Sequence, residues 1–184
     1  MVREYNIAGF GGQGILFLGQ VLANAGIAAG KNATWLPSYG PEMRGGTANC
    51  NVVVSDDRVL SPLVYHPDIA LIFNKPSLEK YLPDVKKAGI VILDSDFIDS
   101  SVDRSDLKVF KVPAKTLAEN INAPMSFNMV ILGVLLMVDP ILNFEHVKTA
   151  IEVVVPGHRR HLADANLKAV QCGIKYYRDI IKNC

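Results

Sequence analysis

Two short stretches in the first quarter of the chain hold residue types that an ordinary turn does not need. Gly9-Phe10-Gly11-Gly12-Gln13-Gly14 satisfies G-x-G-x-x-G, and Ser38-Tyr39-Gly40-Pro41-Glu42-Met43-Arg44-Gly45-Gly46 sets a charged pair among glycines. Glycine lets a backbone turn tightly and come close to a ligand. Where such a loop runs from a strand into a helix, the first helical N–H groups point at whatever sits there, and an anion suits them. Gly12 and Gln13 add to the first loop, Gln13 with both a donor and an acceptor. In the second, Arg44 is a permanent cation whose planar fork suits phosphate or carboxylate. Glu42 either orients Arg44 or reaches a partner. Each loop also has a plain structural alternative. The first is then a tight strand-to-helix turn without a ligand, and the second is stiffened by an internal Glu42–Arg44 ion pair.

Of two common phosphate sites, a standard dinucleotide site is disfavoured and a P-loop is excluded. A dinucleotide fold needs an acid about 20 residues beyond the glycines to hold ribose hydroxyls. Lys31-Asn32-Ala33-Thr34-Trp35-Leu36-Pro37-Ser38 has none. A P-loop needs Gly-Lys-Ser/Thr, but Gly14 is followed by Ile15-Leu16. Other polar candidates fare no better. His158 and His161 lie among arginines with no third ligand, His66 precedes Pro67 in a turn, and His146 sits in an amphipathic pattern. Asp94 and Asp96 follow a strand but read as helix caps. No catalytic acid, base or nucleophile is assigned.

The elements that must position the loops follow from periodicity. Val2 to Ala8 reads as a strand, Ile15 to Ala29 as a helix stopped by Gly30, Ala33 to Leu36 as a short strand, and Thr47 to Ser55 as an alternating strand. Asp68 to Phe73 and Ile90 to Leu93 are apolar throughout, as buried parallel strands are. Val109 to Val112 is a weaker strand, and Pro76 to Lys87 is expected to be one helix. Helices are expected over Ala114 to Asn120, Met125 to Met137, Phe144 to Val155 and His161 to Ile181. The pattern predicts an α/β, Rossmann-like, largely parallel sheet covered by helices, with a helical C-terminal third and one domain over residues 1–184. Both glycine loops should then lie on neighbouring strands at one sheet edge.

Composition bounds the rest. About half the 184 residues are hydrophobic and the formal net charge is +1, which suits a soluble globular protein and gives no footprint for nucleic acid or membrane. Lys86-Lys87 and Arg159-Arg160 read as solvated pairs. The longest apolar stretch, Met129 to Val138, is far shorter than the roughly 20 residues that cross a bilayer, so a cytoplasmic location is expected. Cys50, Cys172 and Cys184 show no C-x-x-C spacing, so neither a disulfide framework, a zinc site nor an iron–sulfur cluster is encoded.

Taken together, the loops resemble those of the gamma subunit of 2-oxoacid:ferredoxin oxidoreductases, also a domain of single-chain pyruvate:ferredoxin oxidoreductases. The resemblance extends through Asn51 to Ser55 with Asp56, Pro67-Asp68, Asn128-Met129, Leu132-Gly133, Asn166, Ala169 and Gly173. It implies CoA-dependent oxidative decarboxylation of a 2-oxoacid to an acyl-CoA, with 2-oxoglutarate or a branched-chain acid as substrate. It also implies thiamine diphosphate and 4Fe-4S clusters on alpha, beta or delta chains, and ferredoxin reached through the complex. The chain is expected to be inert alone. Gly9, Gly11, Gly12, Gln13 and Gly14 become candidates for the coenzyme A phosphates. Ser38, Tyr39, Gly40, Glu42, Arg44, Gly45 and Gly46 become candidates for closing over coenzyme A or bracing the thiamine-binding chains. An indolepyruvate oxidoreductase small subunit, a free-standing nucleotide-binding module and a structural spacer are the alternatives. A homodimer of the isolated chain is expected to have no cellular meaning.

Overall fold

Tyr5 to Gly9 are buried without interruption, which only a strand covered on both faces can manage. That strand, β1 (Val2–Phe10), is the axis of a six-stranded sheet in the computed structural model, which describes residues 1–38 and 47–181. The other strands are β2 (Asn32–Ser38), β3 (Thr47–Ser55), β4 (Ile69–Ile72), β5 (Ile90–Asp94) and β6 (Lys108–Val112). Their order is β2-β3-β1-β4-β5-β6. The pairs β1–β4, β4–β5 and β5–β6 are parallel, and β3 runs against both its neighbours.

The largely parallel sheet is as expected, with one correction. β1 and β2 end at the same edge but are not neighbours, because β3 lies between them. A direct link from Ser38 to Thr47 is too short for a parallel crossover, so β3 returns antiparallel to β2. It then pairs with β1 along its whole length. Pairing with β3 also lengthens β2 to Ser38, and Pro37 is tolerated there because β2 is an edge strand.

Among the described residues six α-helices flank the sheet: α1 (Ile15–Ala28), α2 (Lys75–Tyr81), α3 (Ala114–Asn120), α4 (Phe127–Val138), α5 (Phe144–Val154) and α6 (Arg160–Tyr176). α2 stops earlier than Lys87 because Pro83 has no N–H to continue the ladder, and Leu82–Asp84 tightens into a 3₁₀ turn. A 3₁₀ turn at Pro124–Ser126 likewise precedes α4. α4 buries nearly every side chain from Phe127 to Leu136, which explains the long apolar stretch without a membrane. Among the described residues no helix is long and apolar enough to cross one. α4 and α6 meet at Gly133 and Gly173, where a Cβ on either would strike the other helix's carbonyl at Val170 or Val130. Lys86 is not merely solvated: its ammonium bridges Glu4 (2.7 Å) and Asp68 (2.8 Å) at the sheet edge away from the glycine loop.

Candidate functional site

The chain passes from β1 to the β2–β3 side of the sheet and later returns to β4 on the other side. In open α/β sheets the crevice at such a reversal, beyond the carboxyl ends of the strands, is where ligands bind. Here the Gln13 carboxamide fills it. Oε1 accepts from the Phe10 N–H (2.6 Å) and the Asn74 side chain (3.3 Å), while Nε2 donates to the Phe73 carbonyl (3.1 Å). Gln13 therefore sews β1 to β4 rather than presenting its polar groups outward. Gly9 makes room for it, since a Cβ there would lie 2.7 Å from Oε1 and 2.9 Å from the Phe73 Cβ.

What remains open is the helix start. Gly14 is the N-cap of α1 at φ 73, ψ 22, with no side-chain cap and no acid in the first turn. The N–H groups of that turn have no carbonyl of their own helix to bond, so the positive end of the helix is uncompensated. Gly14 is needed twice: its φ is left-handed, and a Cβ would strike the Asn128 amide. That amide donates to the Gly14 carbonyl at 3.0 Å and ties the start of α4 to the glycine loop. Gly11 and Gly12 are exposed beside it.

A cavity of about 410 Å³ opens at this helix start. Gly12 and Gly14 form one wall, Ser126 and Asn128 a second, and the corner between α5 and α6 a third. From that corner Arg159 supplies the charge, and no acidic residue lines the cavity among the described residues. Asn166 (8% exposed) and Ser126 (6% exposed) face it with side chains that have no hydrogen-bond partner among the described residues. Neither has a polar side-chain atom that is fully buried and unpartnered, so both reach the open cavity and can meet a polar ligand or its water. Phe17, Val154, Leu162 and the 79%-exposed Met125 give the same cavity an apolar side. The arrangement suits an anion that carries a long, partly apolar group.

The remaining candidates separate. Ser38 is exposed at the end of β2, at the same sheet edge. Tyr39, Gly40, Glu42, Arg44, Gly45 and Gly46 lie outside the described residues. Asp94 and Asp96 cap α3 as expected: Asp94 Oδ1 accepts from the Ala114 N–H (3.2 Å), and Asp96 accepts from the Thr116 N–H (2.7 Å) and hydroxyl (2.9 Å). Burial pushes the Asp94 carboxyl up to about 6, with the neighbouring Asp96 charge also raising it. His158 and His161 are exposed in the turn before α6 and its first residues. Burial raises the Cys50 thiol to about 12, which makes it inert. Among the described residues no His, Cys, Asp and Glu cluster could hold a metal.

Arg159, which reads as solvated in the sequence, is exposed and also lines this cavity, as do Ser126, Phe17, Met125 and Leu162. None carries a local motif. Asn128 and Asn166 are among the residues on which the resemblance to the gamma subunits rests, and both line the cavity.

A family model described as pyruvate ferredoxin/flavodoxin oxidoreductase matches residues 4–176. The chain belongs to this family. It is 33% identical over 183 residues to the 2-oxoglutarate synthase subunit KorC of Methanocaldococcus jannaschii, covering 98% of this chain and 96% of that one. It is 39% identical over 173 residues to the ketoisovalerate oxidoreductase subunit VorA of Methanothermobacter marburgensis, covering 94% of this chain but only 36% of VorA. Among solved structures it resembles the keto/oxoacid ferredoxin oxidoreductase gamma subunit of Geobacter sulfurreducens, with TM-score 0.81 at 27% identity and 94% and 96% of the two chains covered. It also shares its fold with 31% of a chain of the Magnetococcus marinus 2-oxoglutarate:ferredoxin oxidoreductase, a structure with 2-oxoglutarate, coenzyme A and succinyl-CoA bound (TM-score 0.84, 21% identity, 97% of this chain).

Proposed function

We propose that this chain is the gamma subunit of a multi-subunit 2-oxoacid:ferredoxin oxidoreductase that converts a 2-oxoacid and coenzyme A into an acyl-CoA, carbon dioxide and two electrons. The observation that carries its part in the reaction is the cavity at the start of α1. Unpaired helix N–H groups and Arg159 favour phosphate oxygens. Asn166, Ser126 and Asn128 offer neutral hydrogen bonds, and Phe17, Met125 and Leu162 suit the pantetheine arm. Coenzyme A has these parts in one molecule. KorC and VorA are named for 2-oxoglutarate and ketoisovalerate, which makes these the substrates to try first.

The chain's own work is then to bind and orient coenzyme A and to keep the α1 start aligned by the Asn128 and Gln13 bonds. Thiamine diphosphate supplies the carbanion chemistry in such enzymes, and this chain is assigned neither that cofactor nor a 4Fe-4S cluster. Alpha and beta chains, with or without a delta chain, hold them and pass electrons to ferredoxin. The loop through Arg44 keeps its expected role of closing over coenzyme A or bracing those chains.

Native affinity purification of the tagged chain under anaerobic conditions, followed by viologen reduction with a panel of 2-oxoacids with and without coenzyme A, tests the reading. Co-purified thiamine-binding chains and coenzyme-A-dependent reduction are expected, and the panel names the acid. A solitary chain with no such activity contradicts the proposal and favours a nucleotide-binding module.

A further inference from the structure

Two further cavities open beside the one at the start of α1, and each shares a wall with it. On one side Gly12, Gly14 and Phe17 also line a cavity of about 270 Å³ that runs on to Phe10, Leu16 and Ala48. On the other, Val155 and Pro156 also line one of about 380 Å³ in the groove between α5 and α6. The outer two share no residue, so the three stand in a row with the uncapped helix start in the middle.

Their chemistry changes along the row. The first cavity has no charged side chain among the described residues, only glycine, alanine, isoleucine, leucine and phenylalanine. The middle one has Arg159. The third has Lys148 and Glu152 from α5, and Arg160 and Asp164 from α6. Each of these pairs is four residues apart on one helix, where opposite charges are neighbours. Lys75–Glu79 and Lys115–Glu119, with the same spacing and order as Lys148 and Glu152, do meet at 3.9 Å. The side chains of Lys148, Glu152, Arg160 and Asp164 instead make no ion pair or hydrogen bond among the described residues. Two cations and two carboxylates thus share one groove with their bonding capacity unspent. Val155, Pro156 and Leu167 give the same groove an apolar wall.

We infer that coenzyme A lies along this row in one direction: thiol end in the first cavity, pyrophosphate at the α1 start, and 3′-phosphoadenosine end in the α5–α6 groove, where Lys148 and Arg160 hold the 3′-phosphate. This rests on the coenzyme A reading above and adds the direction of the ligand and the residues that recognise its far end. The direction follows from charge. The 3′-phosphate sits on the ribose that bears the adenine, so both enter the same cavity. In the first cavity that phosphate would meet no counter-charge, and a desolvated charge without a partner is costly. In the groove it meets an ammonium and a guanidinium, and charge-assisted bonds to phosphate are among the strong ones. Glu152 and Asp164 are acceptors for the adenine amino group, and the apolar wall suits the ring. The uncharged pantetheine arm suits the apolar cavity, which leads towards Ala48 at the carboxyl edge of the sheet.

Dephospho-coenzyme A, which lacks only the 3′-phosphate, tests this in the assembled enzyme. We expect the wild type to show a kcat/KM about ten-fold or more higher for coenzyme A than for the dephospho form, the worth of one charge-assisted contact. Lys148→Ala/Arg160→Ala should bring that ratio to within about two-fold by lowering the value for coenzyme A alone. Its thermal midpoint should match the wild type, since both side chains are exposed. Adenosine 3′,5′-bisphosphate should compete with coenzyme A in the wild type and about ten-fold more weakly in that variant. Phe10→Ala, at the thiol end, should lower kcat/KM for both forms by the same factor. A wild type that does not distinguish the two forms, or a double variant that keeps the ratio, overturns the inference and leaves the coenzyme A reading standing. Loss of the ratio in Phe10→Ala reverses the direction and overturns it as stated. An assembled enzyme whose viologen reduction needs no coenzyme A overturns both.

Discussion

The two edges of the sheet treat their polar groups in opposite ways. At the amino-terminal edge of β1 the charges are paired. Arg3 donates to Asp139 at 3.1 Å, the Tyr5 hydroxyl donates to the same carboxylate at 3.0 Å, and Lys86 bridges Glu4 and Asp68. Hydrogen bonding to Asp139 raises the Arg3 guanidinium, and burial with the Asp139 charge pushes the Tyr5 phenol well up, so both hold their protons. At the carboxyl edge the groups around the cavity stand open: a helix start without a cap, Arg159 unpaired among the described residues, and the Asn166 and Ser126 side chains on the cavity wall with no protein partner among the described residues. α5 shows that this chain caps helices where it can, with a reciprocal Asn143–His146 capping box. Paired charges hold a fold together, and open ones facing a cavity are available to a ligand.

Substitutions at the two edges should therefore separate stability from coenzyme A binding. The largest expected effect breaks the turn itself. Gly14→Val forces a branched side chain into left-handed backbone and against Asn128, which should cost about 3 kcal/mol or more. For a chain of this size that lowers the thermal midpoint by about 6–12 °C. A fall of under about 2 °C contradicts the turn geometry.

Asp94 sharpens the contrast because it is a carboxyl-edge group buried for structure. Its folded-state value of about 6 lies above the ordinary carboxylate range, and one oxygen, Oδ2, has no partner. The folded protein thus holds a proton that the unfolded chain releases. Asp94's contribution is greatest below about pH 4 and is lost as pH rises through 6, by up to about 3 kcal/mol. Thermal unfolding from pH 4 to 7 should show this decline, and Asp94→Asn should flatten it. Equal slopes in both proteins rule it out.

Asp139→Asn should cost about 2 kcal/mol by stranding Arg3 and the Tyr5 hydroxyl. Denaturant unfolding measures the loss, and the coenzyme A KM of the assembled enzyme should not move. A changed KM means that the two edges are coupled. Lys86→Met should cost only about 1 kcal/mol, because its ammonium is half exposed.

The strands and the glycine turn were legible in the sequence because each is a local pattern, alternation or a glycine spacing. That Asp94 and Asp96 act as caps was legible from a carboxylate beside a strand end, but not that the N–H groups they cap lie 20 residues on, in α3. The left-handed Gly14 follows from its glycine and its place before Ile15. Arg159 does not, because its meaning depends on α5 and α6 folding back across α1, and neighbouring residues show only a basic pair after Pro156-Gly157. Gln13's bonds were hidden for a related reason. An amide in a glycine loop reads as a ligand contact, and its bonds to the Phe73 carbonyl and Asn74 come into view only when β4 is placed beside β1. The position of β3 between β1 and β2 was hidden too, since alternation fixes a strand's faces but not its neighbours.

The central claim is that the open edge binds coenzyme A, and steady-state titration of coenzyme A in the assembled enzyme tests it most directly. With Arg159→Ala we predict a KM raised about 10–100-fold, the loss expected for one charge-assisted hydrogen bond, with an unchanged thermal midpoint. Asn166→Ala should act in the same direction and more weakly. An unchanged coenzyme A KM in both variants contradicts the claim and places coenzyme A elsewhere in the complex.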